Sequence, residues 1–129
     1  MKTGCQIYVK GSVEAAAFYR EALNLTLGMN FMADDGTYAH ASLMSGEREI
    51  LAIAESNGTH SHSIQDNKCP VMTFNCYELG SKGAVIHAYN VLSQRALNNY
   101  NPDGPTSVPW SELCFSLVDK FGVHWWIAV

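Results

Sequence analysis

The same order of predicted secondary structure elements occurs twice in this chain, and this repeat restricts the possible folds more than any single motif does. Alternating apolar residues indicate strands, and apolar residues three and four positions apart indicate helices. In the first half these patterns predict a strand, a helix and three strands, at residues 5–9, 13–25, 27–32, 38–44 and 49–54. In the second half they predict a strand, a helix, a Pro/Gly/Asn-rich loop and two strands, at residues 70–77, 83–97, 98–109, 110–118 and 123–129.

Identical residues support a duplication because they recur at a constant spacing. Four pairs lie 69 positions apart, namely Gly11/Gly80, Ser12/Ser81, Ala15/Ala84 and Leu23/Leu92. Later in each half, Ser42-Leu43 and Ser116-Leu117 lie 74 positions apart, as expected if the second half has the longer central loop. These residue types are common, so coincidence is the competing explanation. The matching order of elements favours a duplicated strand–helix–strand–strand–strand (βαβββ) unit and an α+β fold.

The length and one polar segment define the predicted domain organisation. A chain of 129 residues is expected to form a single domain. Residues 56–69 are polar and show no periodic pattern, so we predict a linker there. The first module is then residues 1–55 and the second is residues 70–129. In the second module, the loop at 98–109 would hold a short, irregular second strand.

Composition argues against several classes of partner. The chain has 8 basic and 12 acidic residues, a net charge of −4 and no basic stripe, so nucleic acid is not an expected partner. No signal segment precedes the first strand and no apolar run reaches membrane-spanning length, which predicts a cytoplasmic protein without membrane contact. Hydrophobic residues make up 47% and charged ones only 16%, which predicts that a partner subunit covers part of the surface.

The cysteines and the glycines exclude several familiar sites. Cys5, Cys69, Cys76 and Cys114 are widely separated and form no Cys-x-x-Cys pair, so zinc-ribbon and thioredoxin-like motifs are excluded. We predict thiols rather than disulfides, because a chain of this size can fold without cross-links. The sequence also contains neither a Gly-rich phosphate loop nor a G-x-S-x-G motif.

Three segments carry a resemblance to a known family. Residues 9–19 contain a strand end, a Gly-Ser break and a helix with a Phe-Tyr pair. Residues 38–43 (Tyr-Ala-His-Ala-Ser-Leu) precede a Gly turn, and residues 119–125 (Asp-Lys-Phe-Gly-Val-His-Trp) follow Trp110 and begin with a turn signal. Together they resemble the PhnB-like branch of the vicinal oxygen chelate superfamily, which includes glyoxalase I, bleomycin-resistance proteins and extradiol dioxygenases.

This resemblance implies a specific fold and a specific kind of site. The implied fold is the glyoxalase/bleomycin-resistance arrangement, in which two tandem βαβββ modules form curled mixed sheets with open cups. The family is commonly homodimeric. Its metalloenzymes hold a divalent metal on residues from the first and last strand of each module.

The ligand positions that the resemblance implies are not occupied by metal-binding residues. The family's acid in the last strand corresponds to Trp126, and the spacing of 74 places its counterpart at Ala52. The first-strand positions align near Gly4 and Met72. Because such sites need hard nitrogen or oxygen ligands, we predict no cofactor, with a divalent metal as the disfavoured alternative.

Alternation along the strands predicts a small-molecule pocket instead. If the four aligned positions face the cup, the other residues of the same parity face it too: Gln6, Tyr8, Ala54, Phe74, Cys76 and His124. A mostly apolar and aromatic lining with a few polar groups is typical of a ligand site. The predicted ligand-binding residues are Gln6, Tyr8, His40, Met72, Phe74, His124 and Trp126.

The histidines and tryptophans each admit two interpretations. His40 is either a base or hydrogen-bonding group of the pocket, or a strand histidine satisfied by its surroundings, and the same choice applies to His124. Trp125 and Trp126 are predicted to lie on opposite faces of one strand. The His60-x-His62 pair is more typical of a solvated loop than of a metal site.

Three functions follow from these observations. The first is a metal-independent, homodimeric small-molecule-binding protein of the PhnB-like type. The second is a metal-dependent lyase, isomerase or dioxygenase with relocated ligands drawn from Gln6, His40, Glu55 and His124. The third is a dimeric scaffold that binds no ligand.

Overall fold

The computed structural model describes residues 1–57 and 72–129, and the chain divides into two compact units, Met1–His62 and Ser63–Val129. The boundary between the units falls inside the predicted linker. His60, His62, Cys69 and most of that linker lie outside the described residues. No helix among the described residues is long and apolar enough to cross a membrane.

The first unit is a four-stranded mixed sheet with one helix. Its elements are β1 (Gln6–Val9), α1 (Ser12–Leu23), β2 (Thr26–Met32), β3 (Tyr38–Ser45) and β4 (Arg48–Glu55). The strand order is β1-β4-β3-β2, with β1 parallel to β4 and the other pairs antiparallel.

The second unit has the same plan. Its elements are β5 (Phe74–Cys76), α2 (Lys82–Leu92), β6 (Asn98–Asn99), β7 (Thr106–Val108), β8 (Ser111–Val118) and β9 (His124–Ala128). The order is β5-β9-β8-β6, with β5 parallel to β9, and β7 also pairs with β8. The predicted α+β fold with two βαβββ units is therefore confirmed. The irregular second strand of the second unit is present as the two short strands β6 and β7.

The pairing registers reproduce the spacings seen in the sequence. Ser42 pairs with Ala52 in the first sheet, and Ser116 pairs with Trp126 in the second. Both residues of the second pair lie 74 positions after their counterparts in the first. Gly11 and Gly80 both precede a helix with positive φ, 88° and 91°, a conformation that glycine adopts without strain. The two halves thus match in topology, register and local conformation.

Each sheet packs its helix against one face, called here the helix face, and leaves an opposite, open face. In the first sheet the helix face carries the buried apolar residues Ile7, Val9, Leu43, Leu51 and Ile53. Helix α1 adds Ala15, Phe18, Tyr19 and Ala22. Burying these side chains supplies the main stabilisation of the unit.

The second sheet builds its helix face in the same way. Its core residues include Phe115, Leu117, Trp125 and Ile127, and the Tyr89 ring of α2 meets Phe115 edge-on at 5.2 Å. Trp125 is only 1% exposed, whereas its neighbour Trp126 lies on the open face and is half-buried. The prediction that these two tryptophans occupy opposite faces is confirmed.

Helix α1 begins in a way that its sequence did not suggest. The Gly11 and Ser12 amides donate to the two oxygens of the Glu55 carboxylate, at 2.9 and 2.7 Å. Ser12 does not cap the helix with its side chain, because its hydroxyl instead accepts the Tyr38 amide of β3 at 2.8 Å. A carboxylate at this position also interacts favourably with the positive end of the helix dipole.

Helix α2 matches the prediction at its start and not at its end. It begins after Ser81, whose hydroxyl accepts the Ala84 amide at 3.1 Å, the usual N-cap contact. The helix ends at Leu92 rather than at Leu97. Arg95 takes a left-handed conformation (φ 54°), which the helix cannot accommodate, so the chain leaves as a turn towards β6.

Asp119 fixes the hairpin between β8 and β9 and is fully buried. Its Oδ1 accepts the Phe121 and Val123 amides at 2.8 and 3.1 Å, and its Oδ2 accepts the Trp125 indole N–H at 2.8 Å. Gly122 supplies the left-handed conformation that the turn needs (φ 85°). The turn predicted at Asp-Lys-Phe-Gly is confirmed, and the Asp119 carboxylate bonds the backbone two residues on.

We expect Asp119→Asn to lower the free energy of unfolding by about 2 kcal/mol. The NH₂ group of the asparagine side chain would face either the Trp125 indole N–H or the backbone N–H groups, and two donors cannot form a hydrogen bond. Urea unfolding followed by tryptophan fluorescence measures this. Asp103→Asn, at an exposed position, is the matched control. Equal stability of the two variants would contradict the role given to Asp119.

We also expect the contribution of Glu55 to depend on pH. Burial raises the pKa of Glu55, but hydrogen bonds from the Ser12 side chain and from the Gly11 and Ser12 amides outweigh this and lower the pKa below its ordinary value of 4.5. The folded state therefore favours the carboxylate. Its stabilisation is complete above the ordinary pKa and is lost as the pH falls through the lowered one.

Glu55→Gln should accordingly destabilise the protein at neutral pH, and its difference from wild type should shrink as the pH is lowered towards about 3. Thermal unfolding across this range is the measurement. Glu47→Gln, in the exposed turn between β3 and β4, serves as the control. A pH-independent difference would rule out the ionised cap.

Candidate functional site

The open face of the first sheet carries rows of side chains that cross its strands. In one row the pairing places Gln6, Ala52 and Ser42 side by side. Gly28 of β2 lies at the end of this row, where an added Cβ would come within 3.5 Å of the Ser42 Cβ and 2.7 Å of the Met44 Cγ. Glycine at this position therefore leaves space for the Met44 side chain.

The next row of the same face places small and half-buried residues between two exposed rings. Tyr8 pairs with Ala54, and Phe31 pairs with His40. Continuing the β3–β4 register by one step puts His40 next to Ala54. Tyr8 and Phe31 are 45% and 59% exposed, whereas Ala54 is buried. With strands about 4.8 Å apart, the two rings stand roughly 14 Å from each other across a floor of small side chains.

A chain of hydrogen bonds links three polar side chains on this face. The Ser42 hydroxyl donates to Oε2 of Glu49 at 2.5 Å, and Nε2 of His40 lies 3.2 Å from the Ser42 oxygen. Ser42 is buried, whereas His40 is half-buried and Glu49 is exposed. The hydroxyl thus joins an imidazole to a carboxylate.

Glu49 reaches the open face because of a β-bulge. Leu43 pairs with Leu51, but the next residue, Met44, pairs with Glu49, so Ile50 is an extra residue in β4. In strict alternation Glu49 would share the helix face with Leu51. The bulge reverses its direction and brings its carboxylate to Ser42, as bulges near functional sites commonly do.

The open face of the second sheet has a different character. Asn75, Trp126 and Ser116 form its row, and the Tyr100 amide donates to the Ser116 carbonyl at 3.2 Å. Trp126 is the counterpart of Ala52, so an indole occupies the position that is a methyl group in the first sheet. A large aromatic side chain therefore stands at the centre of this row, where the first sheet has a small one.

His124 lies among these side chains with both ring nitrogens hydrogen-bonded. Its Nδ1 lies 3.1 Å from the Thr73 hydroxyl and its Nε2 lies 2.9 Å from the Ser116 hydroxyl. Ser116 donates its proton to the Trp125 carbonyl at 3.0 Å, so it accepts from Nε2–H, and Thr73 donates to Nδ1. The Tyr100 ring lies 5.5 Å away. Burial lowers the pKa of His124, which favours this neutral form.

The predicted orientation of β5 is wrong by one residue. Phe74 pairs with Trp125, and Cys76 follows on the same side, so both belong to the helix face. The Phe74 and Trp125 rings lie 5.6 Å apart. Met72 precedes the strand and is 81% exposed. Asn75 takes the open-face position. It lies 69 positions after Gln6, the spacing also found at the starts of the two helices, whereas Met72 lies 68 positions after Gly4.

The predicted ligand-binding residues thus fall into three groups. Gln6, Tyr8 and His40 share the open face of the first sheet. His124 and Trp126 share the open face of the second. Phe74 packs in the core of the second unit, and Met72 lies outside the strands.

The donor groups on the paired first and last strands do not fit a divalent metal. The residue beside Ala52 is Gln6 rather than Gly4, and the residue beside Trp126 is Asn75. Each pair therefore offers one amide and no carboxylate or imidazole, whereas such metals need several hard ligands. Among residues 1–57 and 72–129, no group of three or more His, Cys, Asp or Glu side chains is arranged to hold a metal.

Two of the candidate relocated ligands are committed to other partners. Glu55 lies on the helix face, beside Val9, and its carboxylate holds the start of α1. Both nitrogens of His124 are bonded to hydroxyl groups. Gln6 and His40 remain, and they belong to different rows of one sheet.

Sequence reasoning missed the residues that surround the histidines. Ser42 and Ser116 were noted only as a repeat, although both hydroxyls contact a histidine. Their identical place in two strands is the signal that could have suggested a role. Nothing in the sequence indicated Glu49, because its direction depends on a bulge, or Tyr100, because its loop is irregular.

Known structures share this fold. A PhnB protein from Bacillus cereus is similar with a TM-score of 0.75 and 21% identity, over 99% of this chain and 98% of that one. A glyoxylase/bleomycin resistance protein/dioxygenase domain from Frankia sp. EAN1pec matches with a TM-score of 0.70 and 11% identity, over 100% and 96%. The fosfomycin resistance protein FosX from Listeria monocytogenes, complexed with Mn(II) and 1S,2S-dihydroxypropylphosphonic acid, matches with a TM-score of 0.60 and 10% identity, over 99% and 88%.

These similarities establish the fold. The chain has the glyoxalase/bleomycin-resistance α+β fold that its motifs predicted, and the structures similar to it include a PhnB protein and other vicinal oxygen chelate proteins. No protein-family model matches the sequence, and no curated protein does.

The hydrogen bonds of His124 lead to a prediction for its titration. Its pKa should lie below the ordinary 6.5, because burial disfavours the charged ring. Protonation would also place a second N–H opposite the hydroxyl proton that Thr73 donates to Nδ1. Stability linked to this group should fall as the pH is lowered below 6.5. A titration followed by NMR of the His124 ring measures the pKa, and a midpoint at or above 6.5 would contradict the assignment.

Proposed function

We propose that this protein binds a small organic molecule on the open face of its first sheet, without a metal site of the glyoxalase type. The observation that carries this proposal is the floor of small side chains, Ser42, Ala52 and Ala54, beside the exposed ring of Tyr8. His40 and Gln6 add polar groups at its edges. A mostly apolar surface with a few well-placed polar groups is typical of ligand sites.

The contrast between the two sheets supports placing the ligand on the first one. At the position of Ala52 the second sheet has Trp126, whose indole occupies the corresponding space. His124 has already used both nitrogens in hydrogen bonds. The second open face therefore offers aromatic surface for stacking, with Trp126 and His124 as its contact residues.

The likeness to other proteins supports small-molecule binding. FosX, a protein of the same fold, is complexed with Mn(II) and a dihydroxypropylphosphonic acid. In this chain the open-face pair Gln6 and Ala52 lacks the donors for such an ion. We therefore assign to it the ligand-binding capacity of a PhnB-like protein and not the metal chemistry.

We further propose that the protein is a homodimer. The edge strand β2 exposes large apolar side chains, Met29, Phe31 and Met32. Exposed apolar residues that lie together on an edge strand are unusual in a monomer. Light scattering coupled to size exclusion gives the mass directly, and the expected mass is twice 14.2 kDa.

The proposed site is tested with a metal-chelated sample and a panel of small aromatic and aliphatic compounds. Thermal shift identifies ligands, and calorimetry then gives their affinities. Tyr8→Ala should weaken binding roughly tenfold or more, since removing a contacting aromatic ring commonly costs above about 1.4 kcal/mol. Gln6→Ala should have a smaller effect of about threefold.

Tyr77→Ala is the matched control, because it removes the same exposed side chain from a position outside the sheets. It should leave the affinity unchanged. If no compound shifts the melting temperature, the scaffold without ligand becomes the better description. A stoichiometric divalent ion found by elemental analysis of the purified protein would overturn the metal-independent proposal.

A further inference from the structure

We infer that His40 selects ligands that carry a hydrogen-bond donor, because its Nδ1 is fixed as an acceptor on the open face of the first sheet. This inference rests on the proposed function and adds a chemical class to it. The ligand class is a molecule with an O–H or N–H group next to an apolar body. His40 is thus a specificity-determining residue.

The protonation of His40 follows from counting protons along the hydrogen-bond chain. A carboxylate can only accept, so the 2.5 Å contact with Glu49 uses the single proton of the Ser42 hydroxyl. Ser42 can then only accept from His40. Nε2 must therefore carry the proton in the 3.2 Å contact, and in the neutral ring Nδ1 carries a lone pair.

The Nδ1 lone pair is available to a ligand. No hydrogen bond to this atom exists among the described residues, and His40 is half-buried rather than covered. The ring lies in the row between Ala54 and Phe31, next to the floor of small side chains. A molecule lying on that floor would bring its edge to this nitrogen.

The corresponding histidine of the second unit, His124, has no ring nitrogen left to accept a hydrogen bond from a ligand. His124 also donates from Nε2 to a serine, Ser116, which is the counterpart of Ser42. Its Nδ1, however, already accepts from the Thr73 hydroxyl. The two histidines therefore share a tautomer, and only His40 has an acceptor left for a ligand.

The carboxylate of Glu49 is what enforces the orientation. Without it the Ser42 hydroxyl could turn and donate to His40, and the ring could then carry its proton on Nδ1 instead. The bulge at Ile50, which turns Glu49 towards the open face, thus decides whether the site accepts or donates. Glu49 is a positioning residue that acts through Ser42.

The first test reads the tautomer without any ligand. Long-range ¹H–¹⁵N NMR of the full chain at about pH 8.5, above the ordinary titration range of histidine, distinguishes a protonated from an unprotonated ring nitrogen. We expect Nε2–H and a lone pair on Nδ1 for His40. In Glu49→Gln the ring should shift towards a mixture of tautomers. A proton on Nδ1 of the wild-type His40 overturns the inference whether or not ligands bind.

The second test uses phenol, which donates from its hydroxyl, and anisole, its methyl ether, which only accepts. Binding is followed on the methyl signals of Ala52 and Ala54. We expect phenol to bind about fivefold more tightly than anisole, the effect of one hydrogen bond. His40→Asn keeps an oxygen near the position of Nδ1 and should retain the preference. His40→Gln places its amide near Nε2, keeps the Ser42 contact and should lose it.

The outcomes separate this inference from the proposed function. Equal binding of phenol and anisole to the wild type, or a preference that survives in His40→Gln, overturns donor selection and leaves the ligand site intact. If neither probe shifts the Ala52 and Ala54 signals at millimolar concentration, the site on this face fails, and the role of His40 fails with it.

Discussion

Each unit of this protein depends on the parallel pairing of its first strand with its last. Parallel neighbours cannot be joined by a tight turn, so a crossover connection must intervene, and here a helix and two further strands supply it. The pairing also sets the register of the open face, because it places Gln6 beside Ala52 and Asn75 beside Trp126. The positions that could face a ligand are thus fixed by the same contacts that close the fold.

The two units solve one structural problem differently. A helix must start directly after the first strand, and its first amides need acceptors. In the first unit Glu55, at the end of β4, supplies them, and Ser12 is released to hold the amide of Tyr38. In the second unit the residue 74 positions after Glu55 is Val129, which has no acceptor in its side chain, and Ser81 caps the helix itself. Equivalent residues of the two halves can therefore have different roles while the backbone topology stays the same.

Sequence reasoning predicted what depends on local pattern and missed what depends on register. The element order, the Asp119 turn and the opposite directions of Trp125 and Trp126 follow from period-two alternation and turn chemistry, and all are present. The orientation of β5 could not be found in that way, because a slip of one residue moves every side chain to the other face. The direction of Glu49 was hidden for a related reason, since the bulge at Ile50 interrupts the alternation on which the prediction relied.

That bulge has an evolutionary consequence. Ile50 is the extra residue, so its removal would restore regular alternation and still leave Glu49, which would then directly precede Leu51, on the open face beside Ser42. The polarity of the site therefore tolerates the loss of one residue at this place. Related chains could lose the bulge in this way while keeping the core residues Leu43 and Leu51 in place.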